Sequence, residues 1–467
     1  MDRSLKKGIE IVFITNIINL LFSLVTNFIL PKYLSIETYA GIKEFQLYMS
    51  YVGLLHFGYV DSVYLKWGGK ELSPHSGEDL KSTLVTMRDF ELFVSGIIAF
   101  IAIVSKAYLL LFFSLSILPV NMNSFYKYLY QATGNFSRYG KIMNISAVAT
   151  FALNVIIVFV LKFDNCYAIV ALYVVLYYLI WIVFETEFRK HFVVHQCSEF
   201  RFSLQELIFS IRNGFFLTVG NLASLFLSSM DRWFVKSLLD TASFAFYSFA
   251  VSVEGLLNVA ITPITTTLYN YFCKEKDIGK QSAVASYVIV FATLLPMAVF
   301  PIKLILTCFL KNYMEASSVI VLLFAAQMFY IVINSIFVNL YKAQRKQKRY
   351  FQKLVCVLVM GFGLNIILYF LNRSKEAFAI ATLLSSIMWF FLSMADFRYL
   401  KIPLSQISYL LAELAFFLGA GLFLPPLYGL FLYILSSALL GVALMKSTYV
   451  SIIEQLKKAI RSKTGKK

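Results

Sequence analysis

Apolar runs of about 20 residues recur along the whole chain, and the short polar stretches between them hold most of the charge. A helix needs about 20 mostly apolar residues to cross a ~30 Å hydrocarbon layer. Windows of that length predict fourteen spans, at 8–30, 40–63, 84–104, 107–130, 142–161, 167–187, 208–231, 242–271, 283–302, 317–341, 354–372, 377–397, 405–423 and 426–445. The third is interrupted by Arg88, Asp89 and Glu91, and the ninth runs past Pro301 and Lys303 into Leu304–Leu310, so twelve spans is the fallback. Arg3, Lys6 and Lys7 precede the first run as they would in a signal peptide. That run reaches Leu30, too long for such a segment and without a small-residue cleavage site, and is expected to remain as a span.

Composition agrees with an all-α integral membrane protein. The 467 residues are 59% hydrophobic and 14% charged, with a mean hydropathy of +0.74, whereas a soluble domain carries roughly a quarter charged residues. A cytoplasmic enzyme is therefore excluded. The net charge of +17 is dispersed between apolar runs, not clustered on a soluble face as a nucleic-acid partner requires. Cys166, Cys197, Cys273, Cys308 and Cys356 form no C-x-x-C pair, so no disulfide framework is expected. His191, His195 and Cys197 have ligand-like spacing, but a membrane-surface connector is the simpler account of them, and no metal or cofactor is assigned.

Lys and Arg resist translocation and so report orientation. With the N-terminus inside, cytoplasmic segments hold 32 of the 42 basic residues. Both termini are then cytoplasmic. The longest outer stretch, Leu304–Ala316, is too short to fold as a domain, and no His/Asp/Ser constellation accompanies it. A transporter is expected rather than an enzyme.

At an offset of 211 residues the chain resembles itself: Leu129-Tyr130-x-Ala132 with Arg138-Tyr139 aligns with Leu340-Tyr341-x-Ala343 with Arg349-Tyr350, and Leu153-Asn154-Val155-Ile156 aligns with Leu364-Asn365-Ile366-Ile367. The shift is six spans, an even number, so the halves keep one orientation, as in transporters built of two parallel bundles. The expected organisation is a six-helix lobe at 1–196, a connector at 197–201, a second six-helix lobe at 202–400, two appended helices at 401–446 and a basic tail at 447–467.

Ionisable residues inside spans are by default functional or paired. At 100° per residue Lys43, Gln46, Ser50, Phe57 and Asp61 form one stripe of the second span. In the seventh, Asn213, Gly214, Asn221, Ser224, Ser228, Asp231 and Arg232 share a face from which Arg212 points away. Small and hydroxyl residues also serve close helix packing, and Arg232 beside Asp231 is either a satisfied ion pair or an anion-binding group. Glu254 lies mid-span, on one face with Asn258, Thr262 and Thr265; it either pairs with a cation or takes up H⁺ or Na⁺. Glu413 in the appended pair is read as structural.

Several short motifs carry a resemblance. Leu30-Pro31-Lys32-Tyr33-Leu34 with Glu37-x-Tyr39-Ala40-Gly41, Gly58-Tyr59-Val60-Asp61, Ser228-Ser229-Met230-Asp231-Arg232 and Asn312-Tyr313-Met314-Glu315-Ala316 are similar to segments of polysaccharide transporters of the multidrug/oligosaccharidyl-lipid/polysaccharide (MOP) exporter superfamily. The resemblance implies a V-shaped pair of six-helix lobes, in a bacterial inner membrane, that flips undecaprenyl-diphosphate-linked oligosaccharide as Wzx-type O-antigen and capsule flippases do. It implies a cationic cavity, for which Lys43 and Arg232 fit, with Lys66, Lys127 and Arg212 near the inner face receiving the headgroup first. Asp61 and Glu254 depart from a uniformly positive cavity and are the candidates for ion coupling. Implied partners are a polysaccharide polymerase and a chain-length regulator. The alternatives are a multidrug cation antiporter of the same superfamily and a membrane-embedded polymerase or acyltransferase.

Overall fold

The computed structural model describes residues 21–454 apart from 24, 69, 71, 73–75 and 192–201. Among these there are helices and no strand, as expected where no water is present to satisfy backbone groups. The helices of the first half are α1 (25–33), α2 (Ile36–Met49), α3 (Tyr59–Trp67), α4 (Ser76–Val104), α5 (Tyr108–Ala132), α6 (Phe136–Val155), α7 (Cys166–His191) and α8 (Leu204–Leu238). Then follow α9 (Thr241–Glu254), α10 (Asn258–Lys274), α11 (Ile278–Leu294), α12 (Val299–Phe309), α13 (Ser317–Val332), α14 (Asn339–Ala343), α15 (Gln347–Leu371), α16 (Lys375–Asp396), α17 (Leu404–Phe423) and α18 (Pro426–Leu444).

Ten helical stretches among the described residues are long and apolar enough to cross a membrane. The other four expected spans each have a physical reason to differ. The first begins in residues outside those described. The second is broken between α2 and α3. In α4 the uninterrupted apolar run is only Leu92–Val104, and α8 carries a polar face. Lys303, which seemed to end the ninth span, lies inside one 32-residue stretch, Ile278–Phe309. Its buried ammonium donates to Gly421 O at 2.5 Å and Leu424 O at 3.3 Å, satisfying carbonyls that the end of α17 leaves open. The expected connector, with His195 and Cys197, lies outside the described residues, as does most of the basic tail.

The chain divides into two compact units, Met1–Ser229 and Met230–Lys467, the boundary falling within α8. In the first, α5 is the central helix, packed by α2, α3, α4, α6 and α7. In the second, α13 is central, packed by α9, α11, α12, α16 and α17, and twelve of its sixteen residues are buried. A 211-residue shift carries α5 onto α13–α14, so the same piece of the repeat is the core of both units.

The repeat extends to the turn that follows. Asn135 N donates to Tyr130 O at 2.8 Å and Lys346 N to Tyr341 O at 2.8 Å. Gly134 and Arg345, at corresponding positions, both take left-handed backbone, with φ of 70° and 56°. The repeated asparagines, Asn154 and Asn365, are both buried. Glu185 and Asp396, also 211 apart, each accept a tyrosine hydroxyl and an arginine: Tyr126 and Arg189 on the first, Tyr341 and Arg349 on the second.

Span two breaks because the chain turns. Ser50 ends α2, Val52–Leu54 form a tight 3₁₀ turn, and Phe57 and Gly58 have φ of 50° and 94° before α3 starts. A Cβ on Gly214 of α8 would stand 1.8 Å from Gly58 O. Only a glycine pair allows this backbone approach. Gly214→Ala is therefore expected to cost about 3 kcal/mol or more, seen as loss of folded protein or a lowered Tm in detergent. Gly220→Ala, on the same helix with nothing near its Cβ position, should be neutral or slightly stabilising.

Asp164, in the loop before α7, accepts from Ser35 N at 3.0 Å and Ser35 Oγ at 2.9 Å, and Ser35 in turn caps α2 by accepting from Thr38 N. Partial burial acts to raise its pKa, but these hydrogen bonds outweigh it and hold the carboxyl below its ordinary value. A depressed folded-state value stabilises above the unfolded value and is lost as pH falls through the folded one. Acid unfolding profiles of Asp164→Asn should therefore be flatter below about pH 4 than those of the unaltered chain.

Candidate functional site

The glycine crossing places a ladder of polar contacts along the α8 side of the first unit. Tyr51 Oη and Ser229 Oγ are 2.5 Å apart. Thr218 Oγ1 donates to Asp61 at 2.8 Å. Lys66 Nζ lies 3.5 Å from Glu206 Oε1, which also accepts from Thr83 Oγ1 at 3.2 Å. The stripe read along span two as one helix is thereby corrected. Lys43 and Gln46 share α2, but the left-handed residues at 57 and 58 reset the register before Asp61. Lys43 is nearly buried, its ammonium donating to Gln46 Oε1 at 3.0 Å and lying 5.2 Å from the centre of the Tyr39 ring.

On α8 itself Gly214 and Asp231 are buried, whereas Arg212, Asn213, Asn221, Ser224 and Ser228 are exposed. On α10, Asn258 and Thr262 are exposed too. Exposed amides and hydroxyls at membrane depth belong against water or a polar ligand, not lipid. Ser228 and Ser229 hydroxyls return to Leu225 O at 2.9 Å and 2.8 Å, so part of this stripe serves the helix itself.

In the second unit Asp231 is not used as an ion-pair partner for Arg232. Its carboxylate accepts from Tyr247 Oη at 2.6 Å, more distantly from Thr382 Oγ1 at 3.4 Å, and from Arg232 only through the backbone N–H, at 2.7 Å. The Arg232 side chain has no hydrogen bond or salt bridge among the described residues, and its Nε is sequestered from solvent without a partner. Glu254 ends α9, where the 3₁₀ turn Gly255–Leu257 separates it in register from Asn258. It accepts from Gln327 Nε2 of α13 at 2.5 Å.

The remaining predicted residues are dispersed. Lys127 lies 5.8 Å from the Tyr128 ring centre. Arg212 is exposed. Lys43, Lys66 and Lys127 each have separate local partners and are not gathered around one point. Sequence reasoning missed the partners Thr218, Tyr247, Gln327 and Thr382, neutral residues that spacing along one helix does not reveal. It also missed the role of Glu91, fully buried on α4 and accepting from Asn121 Nδ2 of α5 at 2.8 Å. The available signal was a carboxylate and an amide in adjacent apolar runs. Among the described residues no cluster of His, Cys, Asp and Glu has the makings of a metal site.

These elements define the class: a multi-pass helical membrane protein with the fold of MOP-superfamily exporters. The chain is similar to the solved structure "Lipid II flippase MurJ, inward closed conformation", at TM-score 0.65 and 16% identity, covering 94% of this chain and 99% of that one. It is also similar to a multidrug resistance MATE family transporter of the MOP superfamily in an inward-facing conformation, at TM-score 0.56 and 13% identity, covering 82% and 95%. Within that fold, residues 90–276 match the family described as polysaccharide biosynthesis protein. No curated protein matches the sequence.

The Asp61–Thr218 contact is open to a direct test. Thr218→Val removes the donor to a half-buried carboxylate and should lower stability by about 1–2 kcal/mol. The double variant Asp61→Leu, Thr218→Val removes both polar groups and should recover most of that loss in thermal unfolding.

Proposed function

We propose that the protein is a flippase that moves undecaprenyl-diphosphate-linked oligosaccharide repeat units from the cytoplasmic to the outer leaflet of a bacterial inner membrane. The units serve O-antigen, capsule or exopolysaccharide synthesis. The observation that carries this reading is Arg232, an arginine about two turns from the end of α8 whose guanidinium makes no salt bridge among the described residues while Asp231 beside it is bound to Tyr247 and Thr382. Such a group suits a diphosphate, which a planar cation binds through charge-assisted hydrogen bonds. The exposed polar faces of α8 and α10 supply amides and hydroxyls for sugars. The polysaccharide-biosynthesis match over residues 90–276 supports the same cargo class.

In this reading the lobes at 1–196 and 202–400 alternate access, both termini are cytoplasmic, and Lys66, Lys127 and Arg212 meet the headgroup on the inner side. Lys43 contributes a second cation. Moving a charge across the membrane is worth about 2.3 kcal/mol per elementary charge per 100 mV, so export of a dianionic diphosphate from a negative interior is assisted by roughly twice that. Glu254 and Asp61 are the carriers if a counter-ion also couples. A polymerase and a chain-length regulator take the product on the outer face. The multidrug antiporter is the second reading, favoured by the intramembrane carboxylates Asp61, Asp231 and Glu254.

The test is the sidedness of lipid-linked oligosaccharide in cells lacking the gene, read with a membrane-impermeant sugar label. Intact units should accumulate on the cytoplasmic leaflet. Arg232→Ala should reproduce that accumulation at unchanged protein abundance, whereas loss of the protein itself would assign Arg232 to structure. Units that reach the outer leaflet normally would overturn the flippase reading, and a change confined to drug susceptibility would favour the antiporter.

A further inference from the structure

Glu91 and Asn121 are both fully buried, on α4 and α5, the pair of helices that pack most extensively in the first unit. The Asn121 amide nitrogen gives one hydrogen to Glu91 Oε2 at 2.8 Å and the other to Val52 O, in the turn between α2 and α3, at 3.2 Å. Two acceptors on that nitrogen fix which way the amide faces. Its oxygen, Oδ1, is then an acceptor, and so is Glu91 Oε1. Both are sealed from solvent and neither receives a hydrogen bond. Two planar groups are thus joined through one bond, while the other oxygen of each is left without a donor.

No cation is at hand to balance a carboxylate there. α4 packs chiefly against α5, and α5 carries no charged side chain from Tyr108 to Tyr126. On α4 the nearest charges, Arg88 and Asp89, are partly exposed and bonded to each other. In the turn, His56 Nδ1 accepts from Gly58 N at 3.1 Å, and Tyr51 Oη lies against Ser229 Oγ. Among the described residues none of these acts on Glu91 through its charge. Glu91 stands about 15 Å along α4 from Lys81 and about 20 Å from the helix end at Val104. That is near the middle of the ~30 Å hydrocarbon layer such a length spans, where an ionised side chain is most costly.

We infer that Glu91 and Asn121 form a proton-binding site: a proton on Glu91 Oε1 is donated to Asn121 Oδ1 and closes a cyclic carboxyl–amide pair beside the Nδ2–Oε2 bond. One proton thereby turns two orphaned acceptors into one hydrogen bond and removes a full charge from the bundle. A metal cation asks for about six oxygens, where the pair offers two. A water bridging them would leave the carboxylate charged. The bound proton also reaches the break in span two. Without it Oε1 and Oδ1 are two acceptors that repel, and an amide that yields to the repulsion loses its hold on Val52 O as well. The protonated pair therefore ties α4 and α5 to the turn that the Gly58–Gly214 approach closes. Asp61 and Glu254, named above for a coupling ion, have no sequestered oxygen without a partner. The site is confined to α4, α5 and that turn, so the inference does not rest on the flippase reading.

The experiment records infrared spectra of the full chain reconstituted in vesicles at neutral pH, where the carbonyl of a protonated acid absorbs apart from carboxylate and amide bands. The unaltered chain should show an acid band that is lost in Glu91→Gln. Asn121→Leu, which takes away the acceptor, should shift that band to higher frequency. Glutamine offers the same acceptor and donor as the acid, so Glu91→Gln should keep the Tm of the unaltered chain at neutral pH. Folding that binds a proton is weakened as pH rises, so in alkaline medium the variant should melt above the unaltered chain. If Glu91→Gln removes no acid band the carboxyl is ionised, and the inference is overturned. An acid band that Asn121→Leu leaves unmoved overturns it too, and that comparison decides the matter should the glutamine variant not fold. A band that sodium chloride abolishes at constant ionic strength would mark a metal-cation site and overturn the proton.

Discussion

A chain that turns inside hydrocarbon must have its freed backbone groups covered by protein, because no water is present to take them. The Gly58–Gly214 approach is where this protein meets that requirement. Between α2 and α3 the backbone leaves the α-helix for nine residues, 50–58, and α8 lies directly against the point of return. Contact at that closeness fixes how the two elements pack. It sets Tyr51 beside Ser229, Asp61 beside Thr218 and Lys66 beside Glu206. Without the glycine pair the polar residues of α3 would have no partners on α8, and the carboxylate of Asp61 would lose its donor.

Most of the helical architecture was legible from hydropathy, because burial in lipid selects for composition over 20-residue windows whatever the neighbouring helices do. The repeat was legible for a different reason. Its matching residues include those that the turn uses: Tyr130 and Tyr341 supply the carbonyls that close it, and Arg138 and Arg349 open the helices that follow. What hydropathy did not show was the interruption of span two. Gly53 and Gly58 were visible as single glycines, but the backbone that Gly58 meets is Gly214 of α8, about 150 residues away in sequence. A tertiary contact of that kind leaves no local period to detect.

The site was legible in one half of each pair. Charged residues stand out in an apolar sequence, and so Lys43, Asp61, Arg232 and Glu254 were all marked. Their partners are neutral, and apart from Gln46, which shares the stripe of Lys43, they were not marked: Thr218, Tyr247 beside Asp231, and Gln327. Threonine, tyrosine and glutamine are ordinary in membrane helices, so nothing in composition separates a donor to a buried carboxylate from a side chain that packs. The proximity of Asp231 and Arg232 in sequence suggested an ion pair. On a helix adjacent residues point about 100° apart, and each found its own surroundings.

That division of partners bears on what kind of cargo the interior suits. Asp61, Glu91, Asp231 and Glu254 each accept from a hydroxyl or an amide side chain, and none has a lysine or arginine within salt-bridge distance among the described residues. Hydrogen bonds from neutral groups satisfy a carboxylate without using up a cation. Within the second unit Asp231 and Glu254 are near enough to act on Arg232 through space, but neither takes a hydrogen bond or salt bridge from its guanidinium, which keeps its donors. An interior meant for organic cations would be organised the other way, with carboxylates left open and cations kept out. The same fold serves either purpose, since two helical bundles can move any cargo that fits between accessible states. The bundle therefore leaves the sign of the cargo open, and the proposal of an anionic lipid-linked sugar rests on the one guanidinium without a salt bridge.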